Sequence, residues 1–263
     1  MNLFANKAPL PPNVDFADPT QVRRAIRTGI FRGFTNTVAH GYVQGNLVIM
    51  PERHAAGFEG YCRKNPRPCP LLGVSERGNP RIPALAQDMD LRTDIGEYRI
   101  FRDGSVIGTA TDIRELWQSD FVAFVLGCSF SFEQELMTAG VPLRHLAEGS
   151  VSPMYVTNID TAASGEFGGK LVVSMRGLRP ADAICAVQIT SRFPKFHGAP
   201  VHIGDEAESA LAFAKHLLVE GGVAVVPGDT FGAGTARMVR LAFTIDDADL
   251  RTGLERLRAF LGR

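Results

Sequence analysis

The stretch "FVLGCSFSFEQEL", positions 124–136, places Cys128, Ser129 and Glu133 directly behind an apolar run and at the start of a helical pattern. Backbone N–H groups at a helix start point at whatever anion lies before them. A cysteine in that setting is expected to have a lowered pKa. Cys128 or Ser129 is thus a candidate nucleophile or hydrogen-bond donor, and Glu133 a candidate acid/base. The plainer reading is that the cysteine is a small buried filler and the serine a helix cap.

A second cluster, "TSRFPKFHGAPVHIGD", holds Arg192, His197, His202 and Asp205. Pro194, Gly198 and Pro200 make it a stiff loop, and histidine titrates near neutrality, as proton transfer requires. Surface or capping histidines are the alternative. A third, "GYVQGNLV", offers neutral donors, with Tyr42, Gln44 and Asn46 alternating onto one strand face, and Arg27 nearby in sequence. A solvent-facing strand is the competing reading there, as is a surface loop for Asp94 and Arg99 in "TDIGEYR".

These groups need a scaffold. The chain has 263 residues, 45% hydrophobic and 21% charged, with 28 basic and 28 acidic side chains. That length holds one large or two small domains, and the charge balance gives no electrostatic case for nucleic acid or an anionic membrane. The longest apolar runs, "FVAFVLG" and "GGVAVVPG", are too short to span a bilayer. The N-terminus lacks the pattern of a secretory leader, so the cytoplasm is expected. Cys62, Cys69, Cys128 and Cys185 fit a reducing compartment. The spacing of "CRKNPRPC" matches no zinc motif, and neither metal nor cofactor is expected.

Asp18-Pro19 is a helix start, followed by "TQVRRAIRTG" closed at Gly29. "GYVQGNLVIMP" reads as a strand, "ERHAAGFEGYCRK" as a helix and "NPRPCPLLG" as a rigid loop. "EYRIFRDGSVIGTAT" is a hairpin around Asp103-Gly104. Asp112 and Glu115 resemble a capping box opening "IRELWQS". "SPMYVTNI", "GGKLVVSMRGL" and "GAPVHIG" are strand-like, and "PADAICAVQITSRF" is a helix entered by proline. Strands and helices at this spacing predict an α/β fold: a mixed, layered sheet flanked by helices. Beyond Glu206 the pattern is helix–strand–strand–helix. Leu211, Leu217 and Leu218 are expected to meet Val223, Val225, Leu254, Leu257 and Phe260.

Residues from about 24 to 205 resemble the D-glutamate cyclase family of hydro-lyases. The resemblance runs through "RTGIFRGFTNTVAHGYVQGNLVIMP", "YCRKNPRPCPLLGV", "DMDLRTDIGEYRIFRDG", "DIRELWQSDFVAFVLGCSFSFEQEL", "GGKLVVSMRGL" and "AVQITSRFPKFHGAPVHIGD". His40, Gly96 and Gly177 stand where such sequences tend to have proline. The resemblance implies a two-lobed α/β protein with dehydrating lyase or cyclising activity, spanning residues 1–205. The remaining segment, 206–263, resembles the C-terminal end of a fold-type I pyridoxal-phosphate aminotransferase. In that family the arginine matching Arg240 grips the substrate carboxylate. No aminotransferase cofactor domain precedes it here, so the chain reads as a fusion and Arg240 as idle.

Cyclisation of glutamate joins its amine to its side-chain carboxyl and expels water. It needs a carboxylate binder, a base, an acid and donors for a developing oxyanion. Taken with the resemblance, the clusters lead to the expectation of a lyase acting on a small amino or carboxylic acid, with Cys128, Ser129, Glu133, His197 and His202 as the candidate catalytic residues. Arg27, Gln44, Asn46, Arg192 and Asp205 then bind substrate, Arg27 or Arg192 forking onto its carboxylate. Cys128 and His202 are expected on one cleft. A homo-oligomer is compatible with this reading, as is a non-catalytic small-molecule binder on the same scaffold.

Overall fold

The computed structural model describes residues 12–35, 38–148, 152, 154–201, 210–227, 239–240 and 247–261. The chain divides into two units, Met1–Val201 and His202–Arg263.

In the first unit, α1 (Pro19–Arg27) starts as its sequence requires, with Asp18 Oδ1 accepting from Thr20 N at 2.8 Å. Its Val22, Ala25 and Ile26 pack with Phe31, Val38 and Ala39 into one apolar cluster. β1 (Gly45–Pro51), α2 (Glu52–Lys64), β2 (Leu71–Val74), the hairpin β3 (Tyr98–Arg102) and β4 (Ser105–Ala110), and β5 (Phe121–Gly127) follow. Then come α3 (Phe130–Thr138), α4 (Arg144–Ala147), β6 (Met154–Asp160), β7 (Lys170–Ser174) and α5 (Pro180–Thr190).

β5 is central, antiparallel to β1 on one side and β2 on the other. Both of its faces are covered. Ala123 packs with Ile82 and Leu91, while the Phe124 ring meets Phe58 of α2 edge-on at 5.0 Å. A strand buried on both faces reads as a continuous apolar run, which is why "FVAFVLG" shows no alternation. Full burial of a side chain such as Phe124 is worth roughly 2–3 kcal/mol. β5 then feeds α3, whose Phe132 and Leu136 pack with Ala186 and Ile189 of α5 and with Phe193 and Phe196 beyond it.

Several expectations change. Every strand pair among the described residues is antiparallel and the sheets are small, so there is no single mixed, layered sheet. The cause is local: β3–β4 closes on itself through Asp103 (φ 49°) and Gly104 (φ 75°) and pairs only with itself, as does β6–β7. β1 begins at Gly45, so Tyr42 and Gln44 precede it and do not alternate with Asn46; Gly41 at φ 83° turns the chain first. "LLGV" is a strand rather than loop. Asp112 does accept from Arg114 N, but only a single 3-10 turn, Arg114–Leu116, follows. Residues 199–201 form no strand. Gly96, where proline was expected, faces the Gly33 backbone: an added Cβ would lie 2.3 Å from Gly33 O.

The described part of the second unit contains α6 (Ala210–Gly221), the two-residue antiparallel pair β8 (Val226–Pro227) and β9 (Val239–Arg240), and α7 (Asp247–Leu261). Leu217 is fully buried, and Phe260 of α7 meets Phe213 at 6.0 Å and His216 at 5.1 Å. Leu218 and Leu254, expected in this core, are exposed, because Phe213, Leu217 and Gly221 set the packed stripe of α6 and Leu218 lies off it. The side chains of Leu211 and Arg240 lie outside the described residues. No described helix is long and apolar enough to cross a membrane.

Candidate functional site

The end of β5 and the start of α3 carry the chemistry. Cys128 N donates to Gln44 O at 3.1 Å, which fixes the turn out of the sheet. Ser131 reinforces it: its Oγ accepts from Gln44 N at 2.8 Å and donates back to Gln44 O at 3.2 Å. Gly127 has no room for a side chain, since a Cβ there would lie 2.1 Å from Lys195 O. That contact seats the 194–198 loop directly against the strand end.

Glu133, in the first turn of α3, is buried. Its Oε1 accepts from Arg176 Nη2 at 2.6 Å and lies 3.2 Å from His145 Nε2. Arg176 is delivered by the segment leaving β7, and its Nη1 donates to Ser174 Oγ at 3.0 Å. The guanidinium lies over the Phe132 ring, 5.6 Å from its centroid, a cation–π contact that further fixes its plane. His145 is buried on the short helix α4. Glu133 Oε2 and Arg176 Nε are buried with no hydrogen-bond partner among the described residues. Such atoms are costly unless something pairs them, and together they offer an acceptor and a cationic donor.

Cys128 sits beside this cluster with its thiol reached by the Asn46 and Ser129 side chains. Burial pushes that thiol up, and the Glu133 charge adds to the effect; the Phe130 N–H at the helix start opposes it without prevailing. The expected lowering is therefore reversed, and Cys128 is a neutral thiol rather than a standing thiolate. Ser129 occupies the cap position of α3 but makes no capping bond with its side chain. Asn46 is exposed and Ser129 half-buried, so the cluster borders solvent on that side.

His197 belongs to the same neighbourhood. Its Nδ1 bonds Arg67 O at 2.9 Å, and because a carbonyl only accepts, Nδ1 carries the hydrogen. Burial, then the Arg176 charge, hold its pKa below the usual histidine value despite that bond. Neutral His197 thus presents Nε2 as a lone pair.

Other expected residues lie elsewhere. Arg27 forks onto Asp94, Nε to Oδ1 at 2.7 Å and Nη2 to Oδ2 at 2.6 Å, and also donates to Asp88 O. The Asp94 side chain is fully buried, so this pair fastens α1 to the 88–94 turn. Gln44 uses its side chain on Thr35 and Val38, leaving its backbone at the site. Arg192 is largely exposed, 4.0 Å from Glu135 Oε2. His202 and Asp205 lie outside the described residues. Reading the sequence missed Arg176 and His145. Arg176 had a signal, an arginine closing the apolar strand "KLVVSMR"; His145 in "VPLRHLAEG" had none. Among the described residues no group of three His, Cys, Asp or Glu side chains could hold a metal.

Residues 122–215, which include β5 from Val122 onward, α3, Arg176 and His197, match the family model described as D-glutamate cyclase. A protein named "Putative hydro-lyase" from Verminephrobacter eiseniae (strain EF01-2) is 54% identical over 201 residues, 76% of this chain and 73% of the relative. Relatives of the same description from Bradyrhizobium sp. (strain ORS 278) and Bordetella petrii are 55% and 49% identical, over 70% and 80% of this chain and 67% and 79% of their own lengths. With that much of both chains shared at that identity, this protein belongs to the D-glutamate cyclase family of hydro-lyases.

Proposed function

We propose that the protein is a dehydrating carbon–oxygen lyase acting on a small amino or carboxylic acid, its reaction being cyclisation of D-glutamate to 5-oxo-D-proline. The observation that carries this reading is the buried Glu133 carboxylate held between Arg176 and His145 at the start of α3, with one oxygen and the Arg176 Nε left unpaired among the described residues. Arg176 replaces Arg27 and Arg192 as the carboxylate binder, since a guanidinium suits that group and a bound carboxylate would satisfy its Nε.

His197 Nε2 takes a proton from the substrate ammonium. The freed amine attacks the side-chain carboxyl carbon, and the C–N bond forms as negative charge gathers on oxygen. The Cys128 thiol and the Ser129 hydroxyl, side by side at the start of α3, steady that charge. The C–O bond then breaks. The departing oxygen leaves as water, gaining one proton from His197, which returns to its neutral form, and one through the Glu133–His145 pair, which regains it from the second proton lost by the ring nitrogen. The amine has lost two protons and the oxygen has gained two, so the charge balances. The aminotransferase-like tail and Arg240 have no part in this.

A binder on the same scaffold is the competing reading, favoured by the fact that both Glu133 Oε1 contacts are internal. Incubation with D-glutamate, L-glutamate and small hydroxy acids, followed by mass spectrometry, separates the two. A product lighter by one water, formed in proportion to enzyme, supports the lyase. Saturable binding of any of these acids with no product supports the binder.

A further inference from the structure

Beyond that reading, the structure assigns a positioning role to Arg67: it presets His197 as a base by holding the ring in one tautomer and its loop in one conformation. His197 sits at φ 76°, a left-handed backbone that a side chain other than glycine's rarely adopts. The other such residues among those described are Ala39 and Asp103, and Asp103 is explained by its hairpin turn. A strained non-glycine backbone persists only where its surroundings over-determine it.

Arg67 supplies that determination. Its carbonyl accepts from His197 Nδ1 at 2.9 Å, while its guanidinium Nη2 donates to Ala199 O and, at 3.1 Å, to Pro200 O. One residue therefore grips the ring of 197 and the backbone of 199 and 200. On the other flank Phe193 and Phe196 are packed in the α3–α5 cluster, and Lys195 O abuts Gly127. The loop is pinned on both sides of the histidine. A free histidine side chain favours the hydrogen on Nε2; here the Arg67 carbonyl reverses the preference and leaves Nε2 open. The role assigned to Nε2 rests on the proposed lyase reading, but the tautomer itself does not.

The test is nitrogen-15 NMR of the full-length protein labelled at its 6 histidines, with the His197 signals identified by their loss in His197→Gln. At neutral pH the wild type is expected to show His197 in the Nδ1–H form. Arg67→Met, which keeps the stem and carbonyl but releases Ala199 and Pro200, is expected to shift His197 toward the Nε2–H form and to lower turnover roughly 10–100-fold at nearly unchanged KM, the scale seen when a reacting group is misplaced by about 1 Å. Arg67→Lys, which can reach a single carbonyl, should fall between and serves if Arg67→Met does not fold. An Nε2–H tautomer in the wild type, or an unchanged His197 spectrum in the Arg67 variants, overturns the assignment. If wild type turns over no acid, the lyase reading fails, and the tautomer comparison still decides the role of Arg67.

Discussion

Replacing Arg176 by methionine is the sharpest perturbation of the buried cluster. The Arg176 and Glu133 side chains are 16% and 4% exposed and joined at 2.6 Å. Removing the guanidinium keeps the hydrophobic stem over Phe132 but leaves Glu133 in the interior with His145 as its one remaining described partner. Breaking a buried pair from one side costs about 3–5 kcal/mol, because the other charge is stranded. For a chain of this size that is a Tm drop of roughly 10 °C. Glu133→Gln strands Arg176 in turn, at a cost of about 2–4 kcal/mol since Arg176 is nearer solvent. The double variant strands neither charge, so the two costs are not additive. The coupling expected from denaturant titrations of the four proteins is about 2–3 kcal/mol. A coupling below about 0.5 kcal/mol would mean the pair is not formed in solution, and the geometry on which the site is built would be wrong.

Gly127→Ala should displace the 194–198 loop, because its Cβ would lie 2.1 Å from Lys195 O. A loss of about 1–3 kcal/mol in stability together with loss of turnover is expected, and normal activity would show that the loop is not seated on β5. The depressed His197 pKa makes a signed prediction. The unfolded chain binds the proton more readily, so His197 contributes stability above the ordinary histidine pKa near 6.5 that is lost as pH falls through its folded pKa. His197→Gln should therefore flatten the decline of stability below about pH 6.5, and an unchanged decline would assign it to other groups. Cys128, buried and with its thiol pKa raised, should react with iodoacetamide at pH 8 far more slowly than an exposed cysteine until the protein is unfolded. Rapid labelling in the native state, located by peptide mapping, would restore it as a nucleophile.

Local signals were the legible ones. Asp18-Pro19, the limits of α2 and the Asp103-Gly104 turn are written in adjacent residues, and the structure places them where the sequence does. The "GCSFSFE" segment was legible as a strand-to-helix junction carrying a thiol and a carboxylate. What could not be read was long-range pairing. Nothing near Glu133 indicates that Arg176, 43 positions on, closes over it. Nothing near Arg27 reveals that Asp94 occupies its fork, 67 positions away. The lowered pKa expected for Cys128 failed for a related reason: the helix start is a local property, whereas burial is decided by the rest of the fold. The sheet was misjudged because strand spacing does not distinguish a layered sheet from a central three-stranded one with detached hairpins.

The most direct test is the rate of water loss from D-glutamate by the wild type and by Glu133→Gln, each shown by circular dichroism to be folded at the assay temperature. Formation of 5-oxo-D-proline by the wild type, reduced by roughly 10²–10⁴-fold in Glu133→Gln, is the predicted result. Equal rates in the two proteins would contradict the account, because the buried carboxylate would then be structural and the dehydrating centre would lie elsewhere.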